Sequence, residues 1–160
     1  MACAVAAASA CHRNSDPPPP APVARIVAPV AVKKGPSAAD QTRGMVEAAS
    51  QGKSQLPVQL KFELGQRPSV GQTLDVNVAI LPDIDASGAD IVVVGGEGLT
   101  IAPGASQFEL GAVEVGGVYR QVVKVSPAAA GVLLLNLTVS LKHDEMTESR
   151  AFSIPLIVER

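Results

Sequence analysis

The sequence predicts an all-β protein: an antiparallel sandwich of seven or eight strands behind a disordered Pro/Ala-rich N-terminal tail. Three observations predict it. After Leu56, apolar and polar residues alternate with a period of two over most of the chain. Turn residues, chiefly Gly and Pro, recur at the spacing of about 8–12 residues that marks sandwiches and barrels. No helical period intervenes between the strands, so no crossover helices are available to build a parallel sheet.

The elements follow in order. Val58, Leu60, Phe62 and Leu64 alternate with Gln59, Lys61 and Glu63, a half-buried strand. Gly65, Pro68 and Gly71 then turn the chain. Leu74, Val76, Val78 and Ile80 form a second strand, and residues 82–90 read as a polar loop. Ile91 to Val94 form a short, wholly apolar strand, broken at Gly95, Gly96 and Gly98 and resumed over Leu99 to Ala102. Phe108, Leu110, Val113 and Val115 predict short edge segments around Gly111. Val118 to Val125 give a longer strand with Tyr119, Gln121, Val123 and Val125 on one face. The strongest pattern is Leu133, Leu135, Leu137, Val139 and Leu141, with Asn136, Thr138 and Ser140 facing the other way. A hairpin loop over His143 to Thr147 leads to the last strand, Arg150 to Val158, with Phe152, Ile154, Leu156 and Val158 inward. Pro155 places that strand at an edge or a bulge, because proline cannot donate to a ladder.

The run Val122-Val123-Lys124-Val125-Ser126-Pro127, the Gly131 opening of the Leu133–Leu141 strand, and the closing Phe152-Ser153-Ile154-Pro155-Leu156-Ile157-Val158 resemble an immunoglobulin-like or fibronectin-III-like β-sandwich of bacterial envelope proteins. The resemblance covers residues 56–160 and implies architecture rather than activity. The Cys and Trp landmarks of antibody domains are absent from it.

Upstream, composition changes. Residues 38–55 read as a short helix or linker, with Pro36 before it, Ser37 or Asp40 as cap, and Gly52 to end it. Residues 11–37 carry Pro17 to Pro20, Pro22, Pro29 and Pro36. Such a stretch is a semi-rigid spacer of up to ~75 Å at ~3 Å per residue. Residues 1–10 are nearly all small and apolar, and they end Ala8-Ser9-Ala10-Cys11. That order resembles the end of a bacterial lipoprotein signal, in which small residues precede an invariant cysteine. The resemblance implies cleavage before Cys11 and acylation of its thiol, with two acyl chains giving stable anchorage. Ala8 stands where the family usually has Leu, and no basic residue precedes Arg13. Met1 is therefore expected to be an internal methionine of a longer frame, and residues 1–10 a truncated signal.

The composition narrows function. Net charge is -2 over 160 residues, no basic patch stands out, and there are no Trp, one Tyr and three Phe. Nucleic-acid binding, which needs clustered positive charge and often aromatic platforms, is not expected. No apolar run is long enough for a membrane-spanning helix. Cys3 and Cys11 are the two cysteines, so the region after residue 55 holds neither a disulfide nor a thiolate metal site.

Each motif with chemical content has a plainer explanation. His143 sits in a charged hairpin, Lys142-His143-Asp144-Glu145, and His12 beside the cut site, so neither is expected to serve a nucleophile. Asp83-Ile84-Asp85-Ala86-Ser87-Gly88 resembles the opening of a calcium loop, but its twelfth position is Val94 where a bidentate Glu is required. Gly95-Gly96-Glu97-Gly98 lacks the Lys and Ser/Thr of a phosphate loop. No catalytic residue, metal or cofactor is expected.

The expectation is therefore a non-enzymatic lipoprotein of the bacterial envelope, anchored by Cys11, most simply to the outer membrane facing the periplasm. Its sandwich would dock another envelope protein. The edge near Pro155 and the loops Gly95–Gly98 and Gly111–Gly117 are the candidate contacts. The alternative is a soluble periplasmic or secreted accessory module that binds a ligand or assists assembly.

Overall fold

The computed structural model describes residues 36–160. The lipobox-like residues Ala8 to Ala10, the anchor Cys11 and nearly all of the proline spacer lie outside the described residues.

Ten strands form two five-stranded sheets, and every strand pairing between them is antiparallel. They are β1 (Val46–Glu47), β2 (Ala49–Gln51), β3 (Val58–Leu64), β4 (Leu74–Pro82), β5 (Ala86–Gly95), β6 (Leu99–Ile101), β7 (Gln107–Val113), β8 (Tyr119–Pro127), β9 (Gly131–His143) and β10 (Met146–Val158). The first sheet runs β1-β3-β4-β8-β6 and the second β2-β10-β9-β5-β7. Seven of these strands reproduce the immunoglobulin-like arrangement. The first, second, fifth and fourth (β3, β4, β8, β6) share one sheet, and the seventh, sixth and third (β10, β9, β5) share the other. β7 adds a strand beside β5. The two short strands β1 and β2 account for the excess over the expected seven or eight.

The inward residues are those the alternation marks. Leu60, Val76, Val123 and Val125 of the first sheet and Ile91, Leu135, Leu137, Val139, Ile154 and Leu156 of the second are fully buried. Phe152 is the one buried aromatic ring among the described residues, so aliphatic packing fills the space between the sheets.

Residues 37–55 differ from expectation. The helix α1 is only Ala38–Gln41, capped by Ser37, whose side chain accepts the Asp40 amide. Thr42 ends it by turning its hydroxyl back onto the Ala38 carbonyl at 2.9 Å, and Gly44 follows at a φ of 87°. The segment then pairs with both sheets. Val46 and Glu47 join β3, the buried Ala48 donates its amide to Leu60 at 2.8 Å, and Ala49 to Gln51 join β10. Ladder hydrogen bonds on two sheets outweigh a helix with so thin an apolar face.

Two further corrections concern β5 and β6. The loop expected over residues 82–90 is only Asp83–Asp85, because β5 begins at Ala86. Its polar composition is overridden by neighbours on both sides: β9 pairs with it from Gly88 onward, and β7 pairs with Ala86, Ala89 and Asp90 across a bulge. Leu99–Ile101 does not resume β5; it crosses to the first sheet and pairs with β8. The crossing uses Gly95 and Gly96. A Cβ on Gly95 would run into the Leu99 carbonyl, and one on Gly96 would lie 2.9 Å from the Leu134 carbonyl oxygen.

The β9–β10 hairpin is longer than expected: its ladder runs unbroken from His143–Met146 to Gly131–Val158. The loop shrinks to Asp144 and Glu145, both with positive φ (46° and 65°), as a two-residue primed turn requires.

Candidate functional site

Strand addition beside Pro155 is poorly supported by the backbone. The amide of Gly96 donates to the Leu134 carbonyl at 2.8 Å, so the Leu134 polar groups face β5. Pro155 lies directly opposite Leu134, and its ring nitrogen therefore faces the outer edge, where it leaves no donor. On one side of Pro155, β2 covers Ala151 to Ser153. On the other, Glu159 exchanges hydrogen bonds with Pro68 (3.0 Å) and Val70 (3.2 Å). Pro155 is thus at an edge, as expected, but the free stretch is too short to template another strand.

The two Gly-rich loops have structural employment. Gly95 and Gly96 make the sheet crossing. At the other loop, the Tyr119 hydroxyl accepts the Glu114 amide at 2.8 Å, and its ring covers Gly117, where a Cβ would lie 2.7 Å from the ring.

The acidic loop is equally committed. Asp83 accepts from Gln59 Nε2 at 3.3 Å, and Asp85 accepts the Val115 amide at 2.7 Å. His143 joins the same corner: its Nδ1 lies 2.9 Å from the Asp85 carbonyl oxygen and its Nε2 2.8 Å from the Asp144 carboxylate. Among the described residues no cluster of three His, Cys, Asp or Glu has the geometry to hold a metal ion.

What remains is a surface that the residue-by-residue reading missed: the outer face of the second sheet. Along β9 the residues between the buried leucines point outward, and two of them are Val132 (65% exposed) and Leu134 (44%). The β10 residues opposite them are Ile157 (70%) and the exposed Pro155. From β5 come Val94 (56%), paired with Asn136 and diagonal to Leu134, and Val92 (41%), next to Val94 along the same face and paired with Thr138. Six aliphatic side chains on three adjacent strands thus make one continuous apolar patch.

On β9 and β10 the patch stops at a polar seam. The Asn136 amide oxygen accepts the Ser153 hydroxyl at 2.9 Å and Gln51 Nε2 at 3.4 Å. Beyond it, Ser140 and Ser149 hydrogen-bond at 2.7 Å, and Lys142 approaches Asp90 at 3.8 Å. The face is therefore apolar at the end carrying Pro155 and polar at the end carrying the β9–β10 turn. The signal was present in the sequence. Ile91 to Val94, Val132 to Leu135 and Leu156 to Val158 are apolar at consecutive positions, so these strands are apolar on both faces.

No family model and no curated protein matches the chain. The sandwich is similar to the GAE domain of GGA2p from Saccharomyces cerevisiae, with a TM-score of 0.43 and 14% identity over 68% of this chain and 96% of that one. It is similar also to the yeast GGA1 GAE domain (0.42, 12%, over 67% and 96%). A third likeness is to WR4, a C. elegans MSP family member (0.40, 13%, over 61% and 97%). At these identities the likeness is one of fold alone.

Proposed function

We propose that the chain is a non-enzymatic, membrane-tethered envelope lipoprotein whose sandwich docks another protein through the outer face of its second sheet. The observation that carries the docking role is the patch of Val92, Val94, Val132, Leu134, Pro155 and Ile157. A contiguous exposed apolar surface of this kind marks an interaction site more often than isolated exposed residues do. The tether rests on Ala8-Ser9-Ala10-Cys11 and the proline-rich stretch behind it. Acylated Cys11 would hold the sandwich at the outer membrane, and the spacer would let it reach a partner away from the lipid surface.

The test is metabolic labelling with a clickable palmitate, using the natural frame with any upstream in-frame codons, beside Cys11→Ala. Label that disappears with Cys11→Ala supports the anchor. Absence of label on both forms removes it and leaves a soluble periplasmic or secreted accessory module as the reading. Docking is tested separately, with a photo-crosslinking residue at position 134. No adduct at all would remove the docking role.

A further inference from the structure

We infer that the occupant of the apolar face is a second copy of this chain, packed face to face about a two-fold axis that passes near the Leu134–Pro155 rung. The inference rests on the docking role proposed above and names its partner.

Three features of the face favour a copy of itself. The first is charge. Across a two-fold axis each residue near the axis meets its own kind, so a charged patch would repel itself. Val92, Val94, Val132, Leu134, Pro155 and Ile157 carry no charge, and Lys142 and Asp90 are held beyond the Asn136 seam. Net charge of the chain is only -2, so long-range repulsion between copies is small.

The second is area. Six aliphatic side chains, five of them 41% to 70% exposed, make a patch in the class of several hundred Å². Doubling it across the axis brings the buried total to the order of 1,000 Å², where specific interfaces begin.

The third is shape. The patch lies on a regular ladder, Ile157–Val132 beside Pro155–Leu134, and offers rows of aliphatic side chains. Two such faces interdigitate as sandwich sheets do, about 10 Å apart and with strands crossing near 30°. Leu134 sits at the middle of the patch and would meet its own copy.

The experiment is sedimentation velocity on the unacylated full chain, with Cys3 and Cys11 kept reduced, from about 1 µM to 1 mM. The natural chain is expected to shift from one to two chain masses within that range. Leu134→Lys should weaken the dimer at least ~100-fold, and so should Leu134→Glu, because each places like charges across the axis. Mixed in equal amounts, the two variants should dimerise again, since lysine then faces glutamate. Val122→Lys, an equally exposed valine on the outer face of the first sheet, should leave the dimer unchanged. Circular dichroism checks that each variant folds, and Ile157→Lys replaces Leu134→Lys if the latter does not.

A chain that stays monomeric to 1 mM overturns the inference, as does a dimer that Val122→Lys disrupts as strongly as Leu134→Lys. A crosslink from position 134 to a different chain, with no self-adduct, overturns the second copy while leaving the docking role standing. Loss of all crosslinks removes both.

Discussion

Gly96 donates its amide to the carbonyl of Leu134 at 2.8 Å, and that one bond sets the polarity of two edges. It turns the Leu134 backbone toward β5 and so leaves Pro155, opposite Leu134, at a position that owes β9 no hydrogen bond. The same approach forbids a side chain at residue 96. Gly96, just past β5, Leu134 of β9 and Pro155 of β10 therefore form one rung in which the proline's missing donor costs the β9–β10 ladder nothing.

The glycines at this corner should be intolerant of any side chain. Gly95→Ala presses a methyl group into the Leu99 carbonyl, and the obstacle is backbone that cannot rotate aside. We expect a loss of about 2–3 kcal/mol, the cost of overpacking a rigid site. Gly104→Ala serves as the comparison. That glycine has nothing within 4 Å but a φ of 80°, so it should lose only the smaller cost of a left-handed backbone, about 1–2 kcal/mol. Urea denaturation of both variants checks the order.

Arg150 ties the two sheets together. Its Nη1 donates to the carbonyls of Leu56 (3.0 Å) and Val58 (3.2 Å), while its guanidinium lies 5.5 Å from the Phe152 ring centroid. The Nε is buried without a partner. Arg150→Ala removes both charge-assisted bonds and should cost about 2–3 kcal/mol. Arg150→Met keeps much of the aliphatic stem and loses the bonds, so it should recover part of that loss. Denaturant midpoints that ranked Ala above Met would contradict this account.

Tyr119 latches the β7–β8 loop through its hydroxyl. Tyr119→Phe keeps the ring over Gly117 but leaves the Glu114 amide without its acceptor. The expected cost is about 1 kcal/mol, with faster hydrogen exchange at Glu114 and little change elsewhere. Uniform acceleration across the sandwich would show that the latch is not local.

The β9–β10 turn can be improved. Asp144 and Glu145 both hold positive φ, a conformation that glycine and asparagine adopt more readily. Asp144→Asn with Glu145→Gly should raise stability by about 0.5–1 kcal/mol. The Asp144 contact to His143 is lost in that variant, but the pair is exposed and contributes little. A thermal melt that moved downward would refute the turn argument.

Period-two alternation settled most of the architecture before any tertiary contact was considered. Leu133 to Leu141 and Phe152 to Val158 bury the residues that their spacing marks, because a pleated strand has only two faces and one must leave water. The chain alone also determined its aliphatic core, through its scarcity of aromatic residues, and the edge position of Pro155, through a missing donor. Which strands become neighbours was decided only in three dimensions. Residues 46–51 became strands because two sheets offered them partners, and Leu99–Ile101 changed sheets because Gly95 and Gly96 let the backbone close on itself. The apolar outer face has the same origin. Val92, Val132 and Ile157 are far apart in the chain, and local spacing shows each strand to be apolar on both sides without showing that those sides adjoin. Strand order is a long-range property, set by the packing of whole sheets, and it gathered six scattered side chains into one surface.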